Sequence, residues 1–232
     1  MLPGYHYSYL VGACIFWVAW LGVYLAGANY RTEIRWGTMI AAPMALTSLL
    51  FVPEYWHPDS LFNLDLKIRV GIEDFLWAAA VGGIAASIGE ILLKENLTAL
   101  RQTRHKRYYS AFFVAALVFL GLRFGLHWKM MTSTIVSLAL CAVVLAVLRP
   151  NLIKLMLTSA VSFTALYFVL FLVVLALYPE FVDRFYNIAN LLKIYVLRIP
   201  IEELLFAASG GAVWSVAYEY VHGYRLERAG RI

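Results

Sequence analysis

Two pairs of adjacent acidic residues lie within apolar sequence, and their side chains are the ones best suited to chemistry. Glu73 and Asp74 form the first pair, and Glu202 and Glu203 form the second. Ionisable groups at membrane depth are costly and tend to mark function. Adjacent helical residues point about 100° apart, so one acid of each pair can face inward, and we expect Glu73 and Glu202 to approach each other. Two carboxyl groups close together in a low-dielectric site do not both ionise easily, so one of them keeps its proton. Such a pair supplies one acid and one base, which favours proton addition and proton removal on a lipophilic molecule.

A structural role for these acids is the alternative interpretation. Each pair lies where an apolar helix is predicted to begin, and Pro200 suits the first position of the second helix. Acidic side chains in a first helical turn gain about 0.3–1 kcal/mol each from the helix dipole. The pair nevertheless occurs twice, at matching positions of two similar segments, and this favours a functional role.

The helices that must position these acids are predicted to cross a membrane. The chain is 62% hydrophobic and only 14% charged, whereas a soluble domain carries about 25% charged residues. Soluble and disordered classes are therefore excluded, and we expect an all-α integral membrane protein with about seven transmembrane helices. A crossing needs about 20 apolar residues. The predicted spans are 7–28, 36–53, 70–93, 109–127, 131–148, 152–178 and 199–220.

The distribution of basic residues predicts the orientation of the chain. Most of the 19 lysines and arginines fall in one set of alternate loops, and the loop from Lys94 to Arg107 contributes most of this bias. Basic loops tend to lie in the cytoplasm. We therefore expect the amino terminus outside and the carboxyl terminus in the cytoplasm.

The third and seventh predicted spans are similar in sequence. Residues 69–90 and 198–219 align without a gap at an offset of 129 residues, which places Glu73 opposite Glu202 and Asp74 opposite Glu203. The identical pairs are Arg69/Arg198, Ile72/Ile201, Glu73/Glu202, Leu76/Leu205, Ala78/Ala207, Ala79/Ala208, Gly82/Gly211 and Glu90/Glu219. Because four crossings separate the two segments, both run in the same direction, and the repeat is predicted to be parallel.

This repeat predicts three parts of the chain. Residues 1–93 form a first three-span repeat with a Gly-Ile-Glu-Asp motif, and residues 129–232 form a second with a Pro-Ile-Glu-Glu motif. Residues 94–128 contain the basic cytoplasmic loop and a connecting span. The two central helices are rich in small residues, which lets helix backbones approach closely.

The sequence gives little support for a metal-binding, redox or nucleic-acid-binding function. Cys14 and Cys141 occur singly within apolar segments, without ligand-like spacing, so we interpret both as core residues. Glu219 and His222 form only half of a di-metal motif, and we expect no metal and no cofactor. The segment 199–220 contains no lysine for a retinal Schiff base. No basic run alternates with aromatics, so no nucleic-acid partner is expected.

The segments RIPIEELLF and RVGIEDFLW, together with the repeated three-span plan, resemble the membrane-embedded lycopene β-cyclases of the heterodimeric or fused type. In that family a Pro-x-Glu-Glu segment recurs in each half. Glu202 and Glu203 match the segment in full, whereas Gly71 and Asp74 depart from it. The resemblance implies that Glu73, Asp74, Glu202 and Glu203 are catalytic.

The resemblance also implies a reaction. It is a proton-initiated, redox-neutral cyclisation of a linear polyene or isoprenoid, carried out in the membrane by an isomerase or intramolecular lyase without a cofactor. Lycopene is the leading substrate, and the expected partners are a carotenoid or isoprenoid and membrane lipid; a homo-oligomer is left open. Trp77, Phe206 and Phe75 would then stabilise cations. Ordinary packing is the alternative role for these aromatics.

Three arginines are candidates for supporting roles. Arg69 and Arg198 each precede a motif glutamate by four residues, and Arg123 interrupts the fourth apolar span. An ion pair with a motif acid is one interpretation of the first two residues, and snorkelling to the membrane interface is the other. For Arg123 we expect an acidic partner on the same side of the membrane.

Two further functions remain open from the sequence. The first is a terpene or meroterpenoid cyclase that uses paired acids on a shorter prenylated substrate. The second is a proton-coupled transporter or lipid-binding membrane protein, in which the carboxylates form a proton or cation site.

Overall fold

A computed structural model describes residues 4–99, 109–222 and 224–228, and most of these residues are helical. The α-helices are α1 (Ser8–Ala26), α2 (Arg31–Ala41), α3 (Ser48–Phe51), α4 (Leu64–Ile68), α5 (Ile72–Leu93), α6 (Ser110–Leu120), α7 (Met130–Leu148), α8 (Ile153–Leu177), α9 (Phe181–Phe185), α10 (Ile201–Trp214) and α11 (Ala217–His222). The predicted all-α class is confirmed.

Among the described residues, five helical stretches are long and apolar enough to cross a membrane, so the chain is an integral membrane protein. They are Tyr5–Ala26, Ala28–Phe51, Ile72–Leu93, Met130–Leu148 and Pro150–Leu177. The other two predicted spans are also helical, but they are shorter. One is the apolar helix Ser110–Gly125, and the other is α10 with 14 residues, followed after a turn by α11.

The second predicted span differs from the sequence-based expectation in its start and in its regularity. Helical structure begins at Ala28, eight residues before the predicted start, and Ala42–Thr47 forms a 3-10 helix between α2 and α3. Pro43 lies in this stretch and has no N–H to donate to the preceding turn, which interrupts the α-helical hydrogen bonds. Hydropathy does not detect such a break, because the residues remain apolar.

Short strands lie at both ends of the helical bundle. Tyr195–Val196 (β2) pairs with Ile199–Pro200 (β3) directly before α10, and Glu95–Ala99 (β1) pairs with Tyr224–Arg228 (β4) beyond the other end of α5. Most of the basic loop that predicts the orientation, including Arg101, Arg104, Lys106 and Arg107, lies outside the described residues.

Helix α5 lies at the centre of the bundle, where it packs against α1, α2 and α8. Small residues make its contact with α2 close. A Cβ atom added to Gly82 would collide with Ala41 and would lie 2.7 Å from the carbonyl oxygen of Gly37. The two helix backbones therefore approach closely only because a glycine occupies this position.

A side chain at position 82 is expected to separate α2 from α5. We expect Gly82→Leu to abolish the folded protein in detergent, because backbone atoms of α2 cannot move aside without displacing the whole helix. Gly22→Ala is the matched control, because nothing lies within 4 Å of a Cβ at that position of α1. Size-exclusion chromatography and thermal unfolding measure the difference. A monodisperse Gly82→Leu protein with unchanged melting temperature would contradict this packing.

Candidate functional site

An apolar cavity of about 450 Å³ lies between α1, the α2–α3 stretch, α5, α6, α7, α8 and α10. Three helices line it over stretches of equal length: Asp74 to Ala85, Phe163 to Val174, and Glu203 to Trp214. At 1.5 Å of rise per residue, each stretch is about 17 Å long. The cavity is therefore an elongated slot parallel to the helices. Its acidic residues lie at the end where α5 and α10 begin, which we call the motif end.

Glu203 is held at the motif end by three tyrosine hydroxyls. Tyr55 and Tyr186 donate hydrogen bonds to Oε1 over 2.8 and 2.9 Å, and Tyr167 donates to Oε2 over 2.5 Å. The residue is only 4% exposed, and it lines the cavity. Hydrogen bonds from neutral donors to a buried carboxylate stabilise its charged form. This cage of three phenols therefore offsets part of the cost of burying the charge.

Asp74 lies at the equivalent position of the other motif and also lines the cavity. The Tyr9 hydroxyl donates to Oδ1 over 2.7 Å, and the Gly71 amide donates to Oδ2 over 2.7 Å. Asp74 is 5% exposed, so both motifs contribute one buried carboxyl group to the same cavity.

The first acid of each motif is turned away from the cavity and towards a loop. Glu73 accepts a hydrogen bond from the Leu61 amide over 2.7 Å, and Glu202 accepts one from the Leu192 amide over 2.5 Å. Neither of these two acids is among the residues that line the cavity. In both motifs this acid binds the loop that leads into its helix, while the second acid faces the cavity.

Two of the tyrosines around Glu203 come from loops at the motif end. Burial raises the pKa of Tyr55 and of Tyr186 well above the ordinary value of 10, and the charge of Glu203 raises both further. Both groups therefore keep their hydroxyl protons at neutral and mildly alkaline pH. They remain hydrogen-bond donors to Glu203 over this range.

These two loops also bind each other across the motif end. The Asn187 amide donates to the carbonyl oxygen of Tyr55, and the His57 amide donates to that of Phe185. Since Tyr55 and Tyr186 both contact Glu203, this pairing connects the loops of the two halves directly to the carboxyl group.

Aromatic side chains from both motifs form the wall beside the two acids. Trp77 and Phe206 stack with a centroid separation of 6.4 Å and an interplanar angle of 21°. Both line the cavity, and Tyr167 packs edge-on against Trp77. Phe75 lies elsewhere, because it is 38% exposed and does not line the cavity.

The structure pairs two of the predicted arginines with acids outside the motifs. Arg123 forms an ion pair with Glu54, in the loop after α3. Arg198 lies 3.7 Å from Asp183 and donates a hydrogen bond to the carbonyl oxygen of Pro179. Arg69 is an exposed residue with φ 58° directly after α4.

Glu54 connects three segments at the motif end. Besides Arg123, it accepts a hydrogen bond from the Met130 amide at the start of α7, and its backbone carbonyl accepts one from Asn190. We expect Glu54→Gln and Arg123→Gln each to lower the melting temperature in detergent. In the double variant, the loss in free energy of unfolding should be about 1 kcal/mol smaller than the sum of the two single losses, because the two residues share one interaction. Strict additivity would show that the ion pair contributes nothing.

A second set of carboxyl groups is buried near the opposite end of α5. Glu33, Glu90 and Glu219 are each at most 6% exposed, and Glu90 interacts with Glu219. These three described residues do not line the cavity. Among the described residues, no group of three or more His, Cys, Asp or Glu side chains is arranged to hold a metal ion.

The tyrosine partners of the two acids are the part of the site that the motifs do not predict. They come from four different elements and have no regular spacing in the sequence: Tyr9, Tyr55, Tyr167 and Tyr186. Two of these tyrosines could have been noticed in the sequence, because a phenol within an apolar helix usually needs a hydrogen-bond partner. Tyr9 and Tyr167 are such residues.

A comparison with protein families finds a match that includes part of this site. Residues 128–221 match the family model described as lycopene cyclase. The match supports a lycopene cyclase domain over this segment, which is less than half of the chain. The resemblance based on the acidic motif is therefore confirmed, and the matched segment contains Glu203 with two of its tyrosines. A search of curated proteins and a search of solved structures each found no match.

The lycopene cyclase domain supports an enzyme role of the carotenoid cyclase type and a lipophilic carotenoid or isoprenoid substrate. It contributes α7, α8 and α10 to the cavity, whereas Asp74 and Trp77 lie before the matched segment. The cavity is thus built from the family domain together with the preceding part of the chain.

Proposed function

We propose that this protein catalyses the redox-neutral cyclisation of one end of a linear polyene or isoprenoid, with lycopene as the leading substrate. The observation that carries the proposal is the pair of buried carboxyl groups, Asp74 and Glu203, at one end of an otherwise apolar slot. An acid and a base at the end of an apolar slot suit proton chemistry on a hydrocarbon, which has no polar group of its own to be activated.

The proposed reaction begins and ends with a proton transfer. A protonated Asp74 gives its proton to a carbon of the terminal double bond, so that a C–H bond forms and the other carbon becomes a tertiary cation. The neighbouring double bond attacks this cation, and the new C–C bond closes a ring. Glu203 then removes a proton from a ring carbon, which restores a double bond. The product is an isomer of the substrate, so no oxidant or reductant is consumed.

The two carboxyl groups receive different roles because their partners differ. Three phenol hydroxyls donate hydrogen bonds to Glu203, whereas Asp74 accepts one from a phenol and one from a backbone amide. Glu203 is therefore the better stabilised carboxylate, and we assign Asp74 as the acid and Glu203 as the base. Between turnovers Glu203 releases its proton to solvent, and Asp74 regains a proton from solvent.

The aromatic wall suits the cationic intermediate. Trp77 and Phe206 line the slot beside the acids, and a cation near an aromatic face gains about 0.5–2 kcal/mol. Glu73 and Glu202 act as positioning residues, since each binds the loop that precedes its helix.

We also propose that seven crossings form two parallel repeats, residues 1–93 and 129–232, with α6 between them. Three equivalences support this arrangement. Asp74 and Glu203 both reach the slot, and Trp77 stacks on its equivalent, Phe206. The two first acids bind the preceding loop in the same way. The amino terminus is then outside and the carboxyl terminus cytoplasmic.

Expression in lycopene-accumulating cells tests this function. We expect γ-carotene or β-carotene in the pigment extract, with no cofactor added. Unchanged lycopene together with cyclisation of a shorter prenylated compound would transfer the activity to a terpene or meroterpenoid cyclase. Unchanged lycopene together with pH-dependent solute flux in vesicles would favour a transporter.

A further inference from the structure

The slot reaches the surface of the protein along one side of the broken second span. Three of its lining residues are exposed: Met44 at 49%, Leu50 at 40% and Thr47. All three belong to the stretch from the 3-10 helix to α3. The other lining residues are buried or half-buried.

These three residues form a column. A 3-10 helix has three residues per turn, so side chains at i and i+3 lie above one another. Met44 and Thr47 have this spacing, and Leu50 continues it into α3. With a rise of about 2 Å per residue, the column is about 12 Å tall. The column therefore faces the slot on one side and the surrounding lipid on the other.

Helix α3 contacts α7, so we infer that α6 and α7 form the opposite side of this opening. Phe119 of α6 and Leu138 of α7 line the slot, and both are half-buried. Helix α6 packs mainly against α7. We call the opening between Met44, Thr47 and Leu50 on one side and Phe119 and Leu138 on the other the lateral mouth.

The length of the slot shows why a long chain would need such an opening. An extended isoprene unit adds four chain carbons and spans about 5 Å, by the usual bond geometry. A slot of about 17 Å therefore takes about three units beyond the acids. Lycopene is considerably longer, so the rest of such a chain has to leave the protein.

We propose that a linear polyene enters end-first from the bilayer through the lateral mouth, and that the part which does not fit in the slot lies in lipid between α3 and α6. This inference rests on the proposed function for the identity of the occupant. The mouth is apolar except for Thr47, whose hydroxyl already donates a hydrogen bond to the Met44 carbonyl oxygen. It therefore offers a hydrocarbon chain a route that requires no polar group to lose water.

Nitroxide labels at the mouth test this proposal without relying on turnover. The parent protein carries Cys14→Ala, because Cys14 is exposed and not in the core as the sequence predicts, whereas Cys141 is buried as predicted. Met44→Cys and Phe119→Cys are labelled in detergent with a methanethiosulfonate nitroxide and reconstituted into phosphatidylcholine vesicles. Leu46→Cys is the matched control, because Leu46 is exposed on the same 3-10 helix but does not line the slot.

Adding lycopene is expected to reduce nitroxide mobility at positions 44 and 119, as measured by electron paramagnetic resonance, and to leave position 46 unchanged. An equal change at all three positions, or no change at 44 and 119, would overturn the lateral mouth. Pigment analysis of the same vesicles separates the two proposals. Reduced nitroxide mobility without ring formation would support the lateral mouth and reject the cyclase. Ring formation without reduced mobility would support the cyclase and reject the lateral mouth.

Discussion

Replacing Glu203 with glutamine is expected to lower the rate of ring formation by about 10²–10⁴-fold, which is the usual contribution of one general acid or base. Glutamine has nearly the same size, and its amide oxygen still accepts hydrogen bonds from Tyr55 and Tyr186, while its NH2 group can donate to the hydroxyl oxygen of Tyr167. It cannot take up a proton from the cation, so the reaction loses its base while the fold is kept. Ring formation per mole of purified protein in lycopene-containing vesicles is the measurement.

Glu202→Gln is the matched control for this change. It makes the same substitution in the adjacent residue, whose side chain binds the Leu192 amide and does not line the slot. We expect its activity to remain within about tenfold of the parent protein, since loss of one acid–base group is worth more than that. A tenfold or smaller loss in Glu203→Gln, together with a large loss in Glu202→Gln, would reverse the assignment of roles within this motif.

Asp74→Asn is expected to cause a loss of similar size, because the amide has no proton to give to an alkene. The change keeps the size of the side chain: the amide oxygen of asparagine can accept the hydrogen bond from the Gly71 amide, and its NH2 group can donate to the Tyr9 hydroxyl oxygen. Initial rates of ring formation measure the loss, and thermal unfolding shows that the variant is folded.

The neighbouring acid again provides the control. Glu73→Gln retains an acceptor for the Leu61 amide, so we expect it to stay within about tenfold of the parent rate. If Asp74→Asn retained most of its activity while Glu203→Gln had none, the proton would have to come from another group. The assignment of Asp74 as the acid would then be wrong, whereas the assignment of Glu203 as the base would be retained.

The helical segments and the two acid pairs could be predicted from the sequence, because both depend on local composition. A helix in lipid needs a long apolar run, and carboxyl groups within such runs are rare. The choice between the two acids of each pair could not be predicted, and the expectation that Glu73 and Glu202 face inward differs from the structure, in which Asp74 and Glu203 line the slot. Adjacent helical residues point about 100° apart, so the one that faces the slot depends on how each helix is rotated. For α5, that rotation is set by close packing at Gly82, far from the motif.

The three tyrosines around Glu203 could not be predicted from the sequence for a different reason. Tyr55, Tyr167 and Tyr186 meet only because the loops at the motif end pair with each other and α8 packs against α10. The chain contains 15 tyrosines, and the sequence gives no reason to select these three. Contacts between residues far apart in the chain are a property of the packed structure.

Ring formation in D₂O tests the central claim most directly. The acid exchanges its proton with solvent before each turnover, and the carbon that receives it is different from the carbon that later loses one. The proposed mechanism therefore predicts that mass spectrometry finds one solvent-derived deuterium in each newly formed ring, and that in ordinary water the product has the same mass as the substrate. Rings without deuterium, or a product whose mass shows the loss or gain of hydrogen, would contradict proton-initiated cyclisation by Asp74 and Glu203.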